Sequence, residues 1–259
     1  MRYVYIDTEI YHNYFLTCFA VDDNEYFVEI TDESTEEEIQ RARVQLGRVL
    51  KKNTTVGFNS NEFDIPLLAA FINHNFSIAG LKKLADELIK SKKPSWMVCR
   101  DADIFLPIGN PKSMWKTIDI INVLPGIASL KAYAARLEAE SIQDLPIDPD
   151  AYVTPSQRPE MRKYCFNDVS NTKLAFEALG DKMELLERLS QDYDAELRSK
   201  ADAQLAEVII KAEFKKLTGK EITKDYNDDT AVKPFNYDPP SCIGFSTPLL
   251  QELLRICRT

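Results

Sequence analysis

Three strand-like segments crowd into the first thirty residues of this 259-residue chain, and that succession constrains its fold more than any other feature. Arg2 to Glu9, Phe15 to Val21 and Glu25 to Ile30 are rich in Tyr, Val, Ile and Phe, which suit a pleated, half-buried surface. The turn residues Asp22-Asp23-Asn24 part the second segment from the third. Such a run predicts an antiparallel meander. A helix is expected next over Thr35 to Lys51, where Ile39, Ala42, Val44, Leu46, Val49 and Leu50 recur at roughly helical intervals behind a Ser34 or Thr35 cap.

Further along, Thr54 to Phe58 reads as a short strand, and Pro66 suits the first turn of a helix running to about Phe71. Ile78 to Lys93 has an amphipathic helical pattern, whereas Lys92 to Lys116 is rich in Pro, Gly and charge with weak periodicity. Strand character returns over Lys116 to Asn122. Ser129 then caps a helix containing Leu130, Tyr133, Ala134 and Leu137. Pro146, Pro149, Pro155 and Pro159 mark an extended connection into a helix over Arg158 to Leu179. A long helix-forming stretch from Asp181 to Leu217 ends at Gly219, and the remainder, with Asn227-Asp228-Asp229, Pro234, Pro239 and Pro240, is irregular until Pro248 to Ile256. These features place a domain boundary near residue 180, with a helical extension over residues 181–259.

The net charge of −9 argues against a protein that coats nucleic acid by bulk electrostatics. It does not exclude an enzyme whose site is built from carboxylates, since such a site is negative until cations load it. Much of the excess acid lies in Asp22 to Glu38, which contains no Lys or Arg and reads as a solvated loop and helix start. Cys18, Cys99, Cys165, Cys242 and Cys257 show no C-x-x-C pairing, which fits a reducing compartment and gives no thiolate zinc site. The start, Met-Arg-Tyr-Val-Tyr-Ile-Asp, reaches a carboxylate before a long apolar segment develops, so no ordinary signal peptide is expected. No later run approaches membrane-spanning length. The expectation is a soluble, cytoplasmic protein without a membrane partner.

Acidic side chains carry the chemistry. On a strand, Asp7 and Glu9 project from one side while Val4, Ile6 and Thr8 face the other, so one cation can be gripped by both carboxylates. Taken alone, such a pair is commonly a surface or turn feature. Asp64, in Gly57-Phe58-Asn59-Ser60-Asn61-Glu62-Phe63-Asp64, stands at the mouth of a helix, where it could equally serve as N-cap. Tyr164 and Asp168 are four apart on a helix and share a face, a pattern that also suits a half-buried aromatic beside a solvated acid. The conjunction in order changes the balance: two divalent cations about 3.5–4 Å apart need several oxygen ligands from different elements. Carboxylate oxygens suit Mg²⁺ or Mn²⁺ rather than zinc. His12 and His74 are the only histidines and neither stands in a zinc pattern. No G-x-S-x-G elbow and no Walker loop occur.

Asp7-Thr8-Glu9, Asn59-x-x-x-Phe63-Asp64 and Tyr164-x-x-x-Asp168 resemble the three motifs of the DEDDy 3′-5′ exonucleases, the proofreading branch of the ribonuclease H-like superfamily. The tyrosine variant is indicated because Lys163 stands where the histidine variant carries its base. Ile118-Asp119 and Ala128-Ser129-Leu130-Lys131 resemble the strand and helix between the second and third motifs. The resemblance covers about residues 1–180. Leu197 to Glu207 is similar to a segment that follows the exonuclease domain in phage-type DNA polymerases, and Asp238 to Leu250 to the approach to their polymerase region. Nothing resembles a polymerase palm, so the implied contexts are the exonuclease portion of a longer polymerase or a free-standing relative.

The fold implied by strand counting and by the resemblance is α/β: a ribonuclease H-like mixed sheet flanked by helices, with a mostly helical carboxyl-terminal extension. By resemblance, Asp7 bridges two metal ions, Glu9 and Asp168 complete one site, Asp64 holds the second ion and Tyr164 orients the attacking water. The implied reaction releases nucleoside 5′-monophosphates from single-stranded or frayed DNA 3′ ends, proofreading for a polymerase region in cis or in trans. Thr8, Ile10, Asn59 and Phe63 are candidates to line the terminal-nucleotide pocket, with Phe63 equally a core candidate. Lys82, Lys83, Lys92, Lys93, Lys112, Lys116 and Lys131 are candidates to track phosphates, although scattered surface lysine explains any single one as well. An RNA exonuclease of the same superfamily and a non-catalytic nucleic-acid-binding scaffold are the alternatives.

Overall fold

A computed structural model describes residues 3–22, 24–109, 112–222 and 244–257. The sheet begins with β1 (Tyr3–Ile10), β2 (Tyr14–Val21) and β3 (Asn24–Thr31), paired antiparallel in succession. The expected meander is present, although Arg2 and Asp23 lie outside the described residues. Helix α1 (Glu36–Lys52) crosses back to β4 (Thr54–Gly57), which pairs parallel to β1. Thr35 is the cap of α1, and it forms a reciprocal capping box with Glu38. After α2 (Asp64–His74), α3 (Ile78–Lys90) and α4 (Ser95–Asp101), β5 (Lys116–Asp119) joins the sheet parallel to β4. The strand order is β3-β2-β1-β4-β5, a mixed five-stranded sheet with helices on its faces, consistent with the expected ribonuclease H-like α/β fold.

Alternation along the strands divides the hydrophobic interior into two layers. Val4, Ile6 and Ile10 of β1, with Phe15 and Phe19 of β2, pack against Leu46 and Leu50 of α1, Leu67 and Leu68 of α2 and Leu81 of α3. Tyr5 of β1 and Leu16 and Cys18 of β2 face the opposite way. They meet Met161, Cys165 and Val169 of α6 (Arg158–Ala178). The short α5 (Leu130–Arg136) lies beside α6 and is capped by Ser129, as its sequence predicts.

Several boundaries differ from the sequence reading. Helix α2 starts at Asp64, with Pro66 in its first turn as expected, but runs to His74 rather than about Phe71, and β5 ends at Asp119 rather than Asn122. Helix α4 occupies part of the Lys92 to Lys116 stretch, where a helix was not expected; its Ser95 N–H donates to Glu62 Oε2 at 3.0 Å. The stretch from Asp181 to Leu217 is two helices, α7 (Gly180–Asp192) and α8 (Asp202–Thr218). Between them Leu197 is fully buried, and Arg198 is buried against Glu187 and Glu196. These contacts override helix propensity there.

The chain forms two compact units, residues 1–213 and 214–259. The first runs past residue 180 because α7 and the Leu197–Ser199 turn pack on it: Lys182 Nζ donates to the Val123 carbonyl at 2.9 Å, and the Asp119 N–H donates to Ser199 Oγ at 2.9 Å. The second contains α9 (Pro248–Cys257). Asn227-Asp228-Asp229, Pro234, Pro239 and Pro240 lie outside the described residues. No helix among the described residues is long and apolar enough to cross a membrane. Cys18, Cys99 and Cys165 are buried free thiols.

Candidate metal centre

The end of β1 is where the two layers meet, and there the acids gather. Asp7 and Glu9 point to the α6 side together with Tyr5, as alternation dictates, and each is partly buried. Beneath them Cys165 donates its thiol to Asp7 Oδ2 at 3.3 Å; ligand atoms of Asp7, Glu9 and Cys165 lie within 4.8 Å of one another. One turn of α6 places Tyr164 and Asp168 on the same face, with the tyrosine hydroxyl against the Asp168 carboxylate. Asn167 Nδ2 donates to Asp168 Oδ1 at 3.4 Å.

Asp64 arrives from the other layer. It is the first residue of α2, 4% exposed, and it does not cap the helix: the N-cap is Phe63, without a side-chain cap bond. Its Oδ1 has no hydrogen-bonding partner, nor has the buried Thr8 Oγ1. The Thr8 hydroxyl is close enough to favour the Asp64 anion, but not in hydrogen-bonding geometry. A buried carboxylate oxygen left without a donor is costly unless a cation or a proton answers it.

Electrostatics tie the acids together. Burial and the charge of Asp168 push Asp7 up to about 7, opposed by the Cys165 thiol and the Thr8 N–H. Glu9 is raised well above the carboxylate range by burial and by Asp7, Asp168 and Asp64. Burial and Asp7 do the same to Asp64, and burial raises Asp168 against the help of Tyr164, Asn167 and Lys131. Among the described residues no lysine or arginine forms an ion pair with any of these acids. Four clustered carboxylates, one with an orphaned oxygen and none neutralised by a basic partner, have the donor chemistry of a site for hard divalent cations. Tyr164 is driven above its ordinary value by burial and then by Asp168, Glu9 and Asp7, so its hydroxyl keeps its proton.

The nucleotide-pocket candidates divide. Asn59 is exposed at the rim in a left-handed conformation, φ 58°. Phe63 is partly buried and packs against the first layer, the core alternative. Thr8 and Ile10 are 4% and 8% exposed, buried on the α2 side of β1, because even-numbered positions of this strand face the first layer. They do not form an open pocket wall. Of the lysines, Lys82 is buried between Asp86 at 2.6 Å and Asp150 at 2.8 Å, a structural tie rather than a phosphate contact. Lys93 pairs with Asp101 at 2.9 Å. Lys83, Lys92, Lys112 and Lys116 are exposed, and Lys131 pairs with Asp144 at 2.9 Å while its charge reaches Asp168.

No protein-family model matches the chain, and no curated protein matches it. Among solved structures it is similar to a family B DNA polymerase from the hyperthermophilic archaeon Pyrobaculum calidifontis, with a TM-score of 0.48 and 16% identity. That similarity covers 80% of this chain and 27% of the polymerase chain.

Two residues outside the expected ligand set shape the loop that leads to Asp64. Gly57 ends β4 with Ser60 folded against it, so close that an added Cβ would stand 2.4 Å from Ser60 Cβ. Asp119 ends β5 opposite Gly57 and is 2% exposed. Its sequence signals are a carboxylate closing an apolar strand, Thr117-Ile118-Asp119, and the place of Ile118-Asp119 in the motif resemblance, which gave it no role.

Proposed function

We propose that this chain is a metal-dependent 3′-5′ exonuclease that hydrolyses DNA 3′ ends to nucleoside 5′-monophosphates. The observation that carries the reading is the mutual electrostatic influence of Asp7, Glu9, Asp64 and Asp168, from three separated segments, together with an Asp64 oxygen that is buried and unpartnered. Asp7, Glu9 and Asp168 would hold one divalent ion, Mg²⁺ or Mn²⁺, and Asp7 with Asp64 a second. Bound there, such ions acidify a water and stabilise the attacking and leaving oxygens of a phosphodiester.

The protein's own groups divide the remaining work. Tyr164 keeps its phenolic proton and lies against Asp168, so its hydroxyl serves to orient a water rather than to deprotonate it. Lys131 offers a positive charge beside Asp168, where a phosphate would approach. The proofreading role, with a polymerase region in cis or in trans, follows from the motif resemblance.

The test is release of labelled mononucleotides from single-stranded and frayed DNA ends, with and without Mg²⁺ or Mn²⁺. Metal-dependent release, lost in Asp7→Ala, is expected. Deoxy- and ribo-strands compared side by side separate the DNA reading from the RNA alternative. A wild-type chain that binds DNA yet releases nothing with Mn²⁺ would leave a scaffold.

A further inference from the structure

Asp119 sends its carboxylate into the loop that leads to Asp64, not toward solvent. Its Oδ1 accepts from the N–H of Asn59 at 2.8 Å and of Ile121 at 3.2 Å, and its Oδ2 accepts from the N–H of Asn61 at 2.9 Å. Both oxygens are thereby engaged, so this acid is disposed to organise backbone rather than to hold a cation. Further ties converge on the same loop. Thr117 Oγ1 donates to Asn61 Oδ1 at 2.9 Å, Glu62 Oε2 accepts from Ser95 N–H at 3.0 Å, and Ile65 N–H donates to the Ser60 carbonyl at 2.8 Å. The left-handed turn at Asn59 is held by the first of the Asp119 bonds.

Asp64 has no cap bond of its own, so the direction of its carboxylate is set by where the loop delivers the start of α2. We propose that Asp119 is a positioning residue for Asp64: by gripping the amides of Asn59 and Asn61 it fixes the loop so that Asp64 faces Asp7 and completes the second cation site. The inference rests on the metal reading above and names the residue that builds half of it. In Asp119→Asn, the amide presents its NH₂ to one of the N–H groups now bonded, a donor against a donor, and the loop is released while side-chain volume is kept.

The experiment is Mn²⁺ titration of the full chain by calorimetry, paired with mononucleotide release across Mn²⁺ concentration. Wild type is expected to bind two Mn²⁺. In Asp119→Asn the weaker site should lose about tenfold or more in affinity, as expected for losing a charge-assisted hydrogen bond, with the tighter site unchanged. Release by this variant should recover to within a few-fold of wild type at saturating Mn²⁺, whereas Asp64→Asn should not recover. Thr117→Val, which removes only the tie to Asn61, should shift the weaker site in the same direction by about threefold, and it serves if Asp119→Asn does not fold.

Leu46→Ala, in the first layer, lowers Tm without touching the loop and should leave the Mn²⁺ titration unchanged. Wild-type Mn²⁺ affinity at both sites in Asp119→Asn, or in Thr117→Val when that variant stands in for it, overturns the proposal. So does a Leu46→Ala curve shifted as far as that of Asp119→Asn, which would mark a general loss of stability. If wild type binds two Mn²⁺ but releases no nucleotide, the nuclease reading fails while the role of Asp119 is still decided by the titration. Absence of Mn²⁺ binding by wild type overturns both.

Discussion

Asp119 and Asp64 are both buried aspartates, joined through one loop, and they are treated in opposite ways. Asp119 receives three backbone N–H bonds, and burial lifts it only to about 6. Asp64 keeps an oxygen without any partner, has Asp7 beside it, and is raised well above its ordinary range. Backbone donors engage both oxygens of the acid that shapes the loop, whereas the acid that faces the cluster keeps one oxygen bare. A carboxylate that folds the chain is saturated by the chain; the one that faces the cluster retains an oxygen with no donor.

The largest expected effect of breaking that contrast lies on the unsaturated side. Asp64→Ala should lower mononucleotide release by about 10³-fold or more, the several kcal/mol that a misplaced metal forfeits. The same substitution should raise the Tm of the metal-free protein, because it removes a buried group with an unmet oxygen. A metal-free Tm that drops instead would mean that Asp64 is already satisfied.

The pH dependence of stability sharpens the comparison next. Asp7 moves from 3.8 to about 7 on folding, so its contribution is full below pH 3.8 and disappears as pH rises through about 7. Glu9, Asp64 and Asp168 shift in the same direction. The difference in stability between wild type and Asp7→Asn, measured without metal by denaturant titration, should therefore move against wild type by up to about 4 kcal/mol between pH 4 and pH 8. Millimolar Mg²⁺ should restore wild type at pH 8. No such restoration is expected for the part of the slope that comes from Asp119, whose oxygens are already engaged. A pH-independent difference would show that Asp7 is not buried beside like charge.

Smaller effects follow from the neighbours. Tyr164→Phe should lower kcat by roughly 10- to 100-fold, as expected for a lost positioning contact, with the pH–rate profile unmoved because the phenol never ionises in the working range. A profile that loses a limb in the variant would make the tyrosine a base. Lys131→Ala should weaken DNA binding by only about threefold and slightly flatten its salt dependence, since this lysine already shares its charge with Asp144. An unchanged salt slope would remove it from the nucleic-acid path.

Much of the frame was legible because short-range rules set it. Alternation in Tyr3–Ile10 put Asp7 and Glu9 on one face, and the spacing of Tyr164 and Asp168 put them one helical turn apart. The cap of α1 was legible from Thr35 and Glu38 for the same reason. What stayed hidden depends on partners far along the chain. Asp119 meets amides 58 and 60 residues away, and nothing in its neighbours announces that. Thr8 and Ile10 follow the alternation that was already evident, and the resemblance to nucleotide-contacting positions gave way to it. The break between α7 and α8 comes from tertiary burial of Leu197 and Arg198, which a local helical pattern does not encode.

Because Asp64 is carried by one hydrophobic layer and Asp168 with Tyr164 by the other, the spacing between the halves of the cluster is the separation of two independently packed helices across a sheet. Core substitutions on the two helices that carry the acids thereby become graded instruments. Thinning the layer under α6, for example at Val169, would draw Asp168 and Tyr164 inward and leave Asp64 in place, while thinning the layer under α2 at Leu67 would do the reverse. Cations of different radius, such as Mg²⁺, Mn²⁺ and Ca²⁺, offer a ruler for the gap so changed.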